Sequence, residues 1–219
     1  QQQLKALNTE THELVNMQYS TYNRSILPQL SSNGLHIITQ HEKLTKKQEE
    51  YLNRYFEDEV YPVLTPMAVD SSRPFPLIRN KTLNIGALVA KKGEKDTEIE
   101  FATVQVPSVL PRVVRIPAAK EGDTEVAVLL LEEIIERNIS KLFLNYNVLC
   151  AHPFRITRNA DLAIDEDEAE DLLLEIEKQI KKRTWGQAIR LEIEAAADRR
   201  LLKILCVRRT FLKSTDLLT

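Results

Sequence analysis

Four histidines, two cysteines and thirty lysine and arginine side chains define the reactive chemistry open to this 219-residue chain. His152 stands two residues after Cys150, and alternate residues of a strand point to one side. A thiol and an imidazole on one face could act as nucleophile and base. Ordinary core packing of Cys150, with His152 packing or capping beside it, is the favoured reading. His36 and His41 lie five apart across a strand-to-loop break, which is not the spacing of a zinc site. The acidic run from Asp165 to Asp171 offers oxygen atoms of the kind that hold Mg²⁺. Carboxylates in the first turn of a helix, however, stabilise it by about 0.3 to 1 kcal/mol each without any ion.

Arginine is the other candidate, because its planar fork grips phosphate oxygens in pairs. Arg155 and Arg158 flank Thr157, but strand alternation puts residues 155 and 157 on one face and 156 and 158 on the other. The two guanidinium groups therefore need not converge. Arg73 and Arg79 lie on a proline-rich passage, where holding a loop competes with contacting phosphate. For all four arginines, ion pairs within the sheet or to a neighbouring domain are the favoured reading. Lys178 to Arg183 beside Trp185 could contact nucleic acid, although a solvated helix end with a packed tryptophan accounts for the same residues. The five glycines are scattered and no GxxxxGK[ST] run occurs, so a phosphate-cradling loop of that kind is absent.

The elements that must position these residues follow from periodicity. Leu4, Leu7, His12, Val15, Tyr19, Tyr22 and Ile26 recur at helical spacing and predict a long helix, closed by Pro28 and the turn cluster Ser31-Ser32-Asn33-Gly34. Its stripe calls for a partner. Leu35 to Thr39 predicts a short strand. Thr45 followed by Gln48 predicts a capping box, opening a helix that buries Leu52, Tyr55, Phe56 and Val60 and ends near Glu59. Pro62, Pro66, Pro74 and Pro76 then impose an irregular passage, since each removes a backbone donor. Strands are predicted over 83–89, 101–106, 113–116 and 126–130, a helix from Leu131 to about Phe143, and a strand over 147–157. A long helix after Asp165, a strand over 189–193 and a short helix over 199–205 complete the order. The pattern is α+β, mainly antiparallel sheet with packed helices, preceded by one long helix.

Composition narrows the function. Charges nearly cancel, to a net −2, whereas nucleic-acid binders present a strongly basic footprint; no nucleic-acid partner is expected. There is no apolar run of membrane-spanning length and no signal-peptide pattern at the start, so a cytoplasmic location is expected. Two cysteines without CxxC spacing read as reduced.

Several segments, taken in order, resemble one family. Tyr55-Phe56, Val63-Leu64-Thr65-Pro66, Arg73-Pro74-Phe75-Pro76 and Asn84 before an apolar strand are similar to the head (middle) domain of long-form polyphosphate kinases. Val106-Pro107-Ser108 with Pro111-Arg112, Leu131-Glu132-Glu133-Ile134-Ile135, and Phe154-Arg155-Ile156-Thr157-Arg158-Asn159-Ala160-Asp161 resemble further segments of that domain. The resemblance implies that residues 1–33 are the terminal helix of an N-terminal helical domain, truncated, and residues 34–219 the head. It implies a parent enzyme that reversibly moves the γ-phosphate of ATP onto polyphosphate through a phosphohistidine, with ATP and Mg²⁺. In that family the nucleophilic histidine lies in C-terminal domains with no counterpart here, so the fragment is expected to be inactive and to hold no cofactor, catalytic residue or metal. Its expected partners are the remaining domains and further copies, through the head. Two alternatives stay open: a stand-alone interaction or regulatory module sharing the fold, and a small phosphohistidine-handling enzyme using His152.

Overall fold

The computed structural model describes residues 2–39, 42–69, 76–93, 98–119, 125–159, 186, 188–207 and 217–218. The chain opens with α1 (Gln2–Thr21), a π-helical segment (Tyr22–Ile26) and α2 (Leu27–Ser32), followed by β1 (Leu35–Ile37). Next come α3 (Lys46–Tyr55), a second π-helical segment (Phe56–Val60), a 3₁₀ turn (Tyr61–Val63) and strands β2 (Met67–Val69), β3 (Leu83–Lys91) and β4 (Ile99–Gln105). Strands β5 (Val113–Ile116) and β6 (Val126–Leu130) precede α4 (Leu131–Arg137) and α5 (Ile139–Leu142). The last elements are β7 (Tyr146–Arg158), β8 (Ala188–Ile193), α6 (Arg199–Val207) and β9 (Leu217–Leu218). They form two compact units, residues 1–65 with 106–147 and residues 66–105 with 148–219.

In the first unit, three strands lie in the order β1-β6-β5, with β1 parallel and β5 antiparallel to β6. Thr45 caps α3 as its sequence requires. The Thr45 hydroxyl accepts from the Gln48 backbone N–H, and the Gln48 side chain accepts from the Thr45 backbone N–H. This pre-sets the first turn, and Leu52, Phe56 and Val60 follow at helical spacing into the core with Leu129, Leu131 and Ile134. Full burial of each such side chain contributes about 1.5 to 3 kcal/mol.

Helical backbone runs further here than the sequence predicts. It does not stop at Pro28 or near Glu59, because Pro28 and Pro62 each sit in the first turn of a new segment, where no backbone donor is needed. A π-helical segment ahead of each changes the hydrogen-bond register, as where the Leu27 N–H reaches Tyr22 O. The helix expected from Leu131 to about Phe143 instead divides at Asn138. There the side-chain amide takes the Ile134 carbonyl at 3.0 Å, and the backbone N–H bonds Ile135. A short polar side chain has thus replaced one rung of the helix. Every described residue of α1 lies outside the core: Leu4, Leu7, Leu14 and Met17 are more than 60% exposed.

The second unit holds six strands in the order β2-β4-β3-β7-β8-β9, antiparallel in the pairs β2/β4, β3/β4 and β7/β8, and parallel at β8/β9. β2 and β9 were not anticipated; β2 fits between Pro66 and Pro74, in the passage read as irregular. One face carries Leu88, Phe101, Phe154, Ile156 and Leu191, which cluster with Leu201 and Leu205 of α6. Gly86 keeps that face dense, since a Cβ there would stand 3.1 Å from the Phe154 ring and 3.4 Å from Phe101. The long helix expected after Asp165 lies outside the described residues.

Candidate functional site

The candidate arginines meet different fates. On the solvent side of the β7/β8 ladder, Arg155 and Glu192 are direct register partners. Arg155 Nε and Nη2 donate to the two Glu192 oxygens at 2.9 and 2.8 Å. The Arg155 hydrogen bonds hold the Glu192 carboxyl below its ordinary pKa, outweighing the burial that pushes it up. Arg190 adds a contact to the same carboxylate at 3.3 Å. Arg155 is therefore a cross-strand tie.

Arg158 turns to the opposite side, as alternation predicts, and is 6% exposed. Its backbone N–H donates to Asn80 Oδ1 at 2.8 Å, its Nε to Ile78 O at 2.9 Å and its Nη1 to Gly186 O at 2.9 Å. These acceptors are neutral. Burial pulls the Arg158 pKa down, and no carboxylate opposes it among the described residues. The turn that it holds carries Arg79 and Lys81, both exposed. The structure thus brings Arg79 and Arg158 to one turn and leaves Arg155 on the other face; Arg73 lies outside the described residues.

That turn is wired at several points. Lys81 N–H donates to Ile156 O at 2.7 Å, the Thr82 hydroxyl to Arg79 O at 3.0 Å, and Asn84 Nδ2 to Thr82 O at 2.9 Å. Lys81 takes φ 59°, a left-handed conformation that costs a lysine energy and is kept by the surrounding bonds.

His152 is engaged on both nitrogens. Nδ1 donates to Glu194 Oε2 at 3.1 Å, and Nε2 accepts the Asp198 backbone N–H at 3.3 Å. Asp198 in turn accepts from the Arg200 backbone N–H and guanidinium, and these contacts lower its carboxyl to about 2. Cys150 is half-buried against the core cluster, and burial raises its thiol pKa, the opposite of what a nucleophile needs. Both cysteines are free thiols. His36 Nε2 pairs with Glu42 at 2.6 Å, whereas His41, Asp165 to Asp171, and Lys178 to Arg183 with Trp185 lie outside the described residues. Among the described residues, no group of three or more His, Cys, Asp or Glu could hold a metal ion. No described helix is long and apolar enough to cross a membrane.

Sequence reasoning named Arg79 and Arg158 but passed over Lys81, Asn80, Glu192, Asp198 and Gly186. The Arg79-Asn80-Lys81 run was a legible turn signal. The backbone approach at Gly186 had none.

Comparison with known proteins places the chain in a family. The model of the polyphosphate kinase middle domain matches residues 47–218. The polyphosphate kinase of Halalkalibacterium halodurans is 47% identical over 205 residues, covering 93% of this chain and 28% of that protein. That of Lactiplantibacillus plantarum is 42% identical over 214 residues, covering 96% of the chain and 29% of the relative. The crystal structure of polyphosphate kinase from Porphyromonas gingivalis superposes with a TM-score of 0.76 at 24% identity, over 98% of this chain and 29% of that one. The chain thus spans under a third of the length of these relatives.

Proposed function

The chain belongs to the polyphosphate kinase middle-domain family, and on that premise we propose that it is the non-catalytic, subunit-associating part of a polyphosphate kinase. The carrying observation is that the middle-domain model takes up residues 47–218 while the relatives extend far beyond the matched region. In this reading the parent enzyme moves the γ-phosphate of ATP reversibly to polyphosphate through a phosphohistidine in its other domains. ATP and Mg²⁺ belong to the parent, no step passes through residues of this chain, and the parent is cytoplasmic. His152 supports the assignment, because Glu194 and the Asp198 N–H already occupy its two nitrogens.

Residues 1–33 are assigned to the end of a helical domain that precedes the head, and residues 34–219 to the head. The exposed Leu4, Leu7, Leu14 and Met17 on α1 support this, since apolar side chains at helical spacing are normally buried against a neighbour. The head is assigned a role in homo-oligomer formation.

Light scattering coupled to gel filtration, run with an ATP-turnover and a phosphohistidine-incorporation assay, tests the proposal. Self-association without turnover or label is expected. Turnover, or label lost in His152→Ala, would overturn it.

A further inference from the structure

The turn over residues 78–82 and the end of β7 assemble a cationic group that no carboxylate balances among the described residues. Arg158 is buried and bonded to neutral oxygens alone among the described residues. A positive charge in a poorly polarisable setting exerts a field that water screens little. Arg79 and Lys81 stand exposed on the same turn, which is tied to β7 by the Lys81 N–H donating to Ile156 O and by the Arg158 N–H donating to Asn80 Oδ1. No carboxylate partner of Arg79 or Lys81 occurs among the described residues. Arg155 is the counter-example within the same strand: its charge is neutralised by the two oxygens of the Glu192 carboxylate.

We infer that this turn is a binding site for an inorganic phosphate chain, with Arg79 and Lys81 contacting successive phosphates and Arg158 supporting them from beneath. The inference rests on the family reading above and adds to it a place where the head takes hold of the polyanion. The local chemistry favours bare phosphate over nucleic acid. The turn residues Leu77 to Thr82 include no aromatic ring on which a base could stack, and stacking supplies much of sequence-independent single-strand binding. The chain's net charge of −2 also works against a polyanion that needs a broad basic surface. Two exposed cations on a rigid, pre-formed turn suit a narrow, flexible chain of phosphates, because little ordering entropy is lost on the protein side.

The test is calorimetric titration of the 219-residue chain with sodium polyphosphate of defined length over a series of salt concentrations. The double variant Arg79→Gln/Lys81→Gln changes two exposed side chains and leaves the backbone bonds of the turn in place. Its affinity is expected to fall at least roughly tenfold, and the slope of log K against log salt to lessen by about one for each phosphate contact removed. Lys43→Gln/Lys46→Gln, an equal charge change elsewhere, is expected to bind as the parent chain does. Unchanged binding by the turn variant, an equal loss in the Lys43/Lys46 variant, or equal affinity for single-stranded RNA of matched charge would each overturn the inference. Association and ATP turnover are read on the same samples. A chain that self-associates without turnover yet ignores polyphosphate sinks this inference and leaves the non-catalytic, subunit-associating assignment intact; ATP turnover sinks that assignment itself.

Discussion

Arg155 and Glu192 face each other across β7 and β8 as direct register partners, joined by two hydrogen bonds of 2.9 and 2.8 Å. That relationship removes Arg155 from the list of phosphate contacts and makes it part of the sheet. Arg155→Gln is expected to lower stability by about 0.2 to 1 kcal/mol at neutral pH, since the guanidinium is half-exposed and screened. The Glu192 carboxyl titrates lower when folded than when unfolded. Its contribution is thus present above the unfolded carboxylate pKa and lost as pH falls through the folded one. Urea denaturation at several acidic pH values should show a shallower acid loss in the variant.

The same reasoning applies more strongly at the start of α6. Asp198 falls from an ordinary 3.8 to about 2 in the folded chain, chiefly through the Arg200 side chain. The stability that it contributes is complete above 3.8 and disappears as pH drops toward about 2. Because Asp198 also accepts the Arg200 backbone N–H in the manner of a helix cap, Asp198→Ala should cost about 1 kcal/mol at pH 7. Thermal unfolding of the variant is expected to lose this part of the acid dependence.

Leu201 and Leu205 are both 0% exposed where α6 covers the sheet. Replacing either with Ala should destabilise the chain by about 2 to 5 kcal/mol, from lost transfer energy and the cavity left behind. Equilibrium denaturation reads the loss; a cost under 1 kcal/mol would mean that the helix does not seal the core.

Gly186→Ala should be among the most damaging small substitutions. A Cβ there would stand 2.1 Å from the Asn159 carbonyl oxygen, and backbone cannot step aside as a side-chain tip can. The substitution is expected to cost at least about 1 to 3 kcal/mol and to disturb the Gly186 carbonyl that Arg158 holds. Gly86→Ala meets ring atoms at 3.1 Å and should cost less, which a side-by-side denaturation series checks.

Thr45→Ala removes the hydroxyl half of the capping box and should cost about 1 kcal/mol, with Thr45→Asn largely restoring stability. Denaturation midpoints at constant m-value are the readout.

Much of this was legible in local pattern. The capping box of α3, the bounds of β5 and β6, and the opposite orientations of Arg155 and Arg158 all follow from short-range rules, and the structure bears them out. Misses occurred where a hydrogen bond made a choice that residue spacing does not encode. Helical backbone passed Pro28 and Pro62 because π-helical segments re-registered the hydrogen bonds ahead of them, and Asn138 divided a helix by bonding Ile134. β2 formed because β4 offered an edge to pair with, and three residues carry too little propensity to announce that.

By itself the sequence determined the α+β class, most of the described strands and helices, and the family, because periodicity, caps and ordered motifs are properties of neighbouring residues. Tertiary structure decided the partners. It gave Arg155 a carboxylate 37 positions away, buried Arg158 against the carbonyls of Ile78 and Gly186, and occupied both nitrogens of His152. Whether an arginine or a histidine is free to meet a ligand depends on which distant group reaches it first, and no local spacing encodes that.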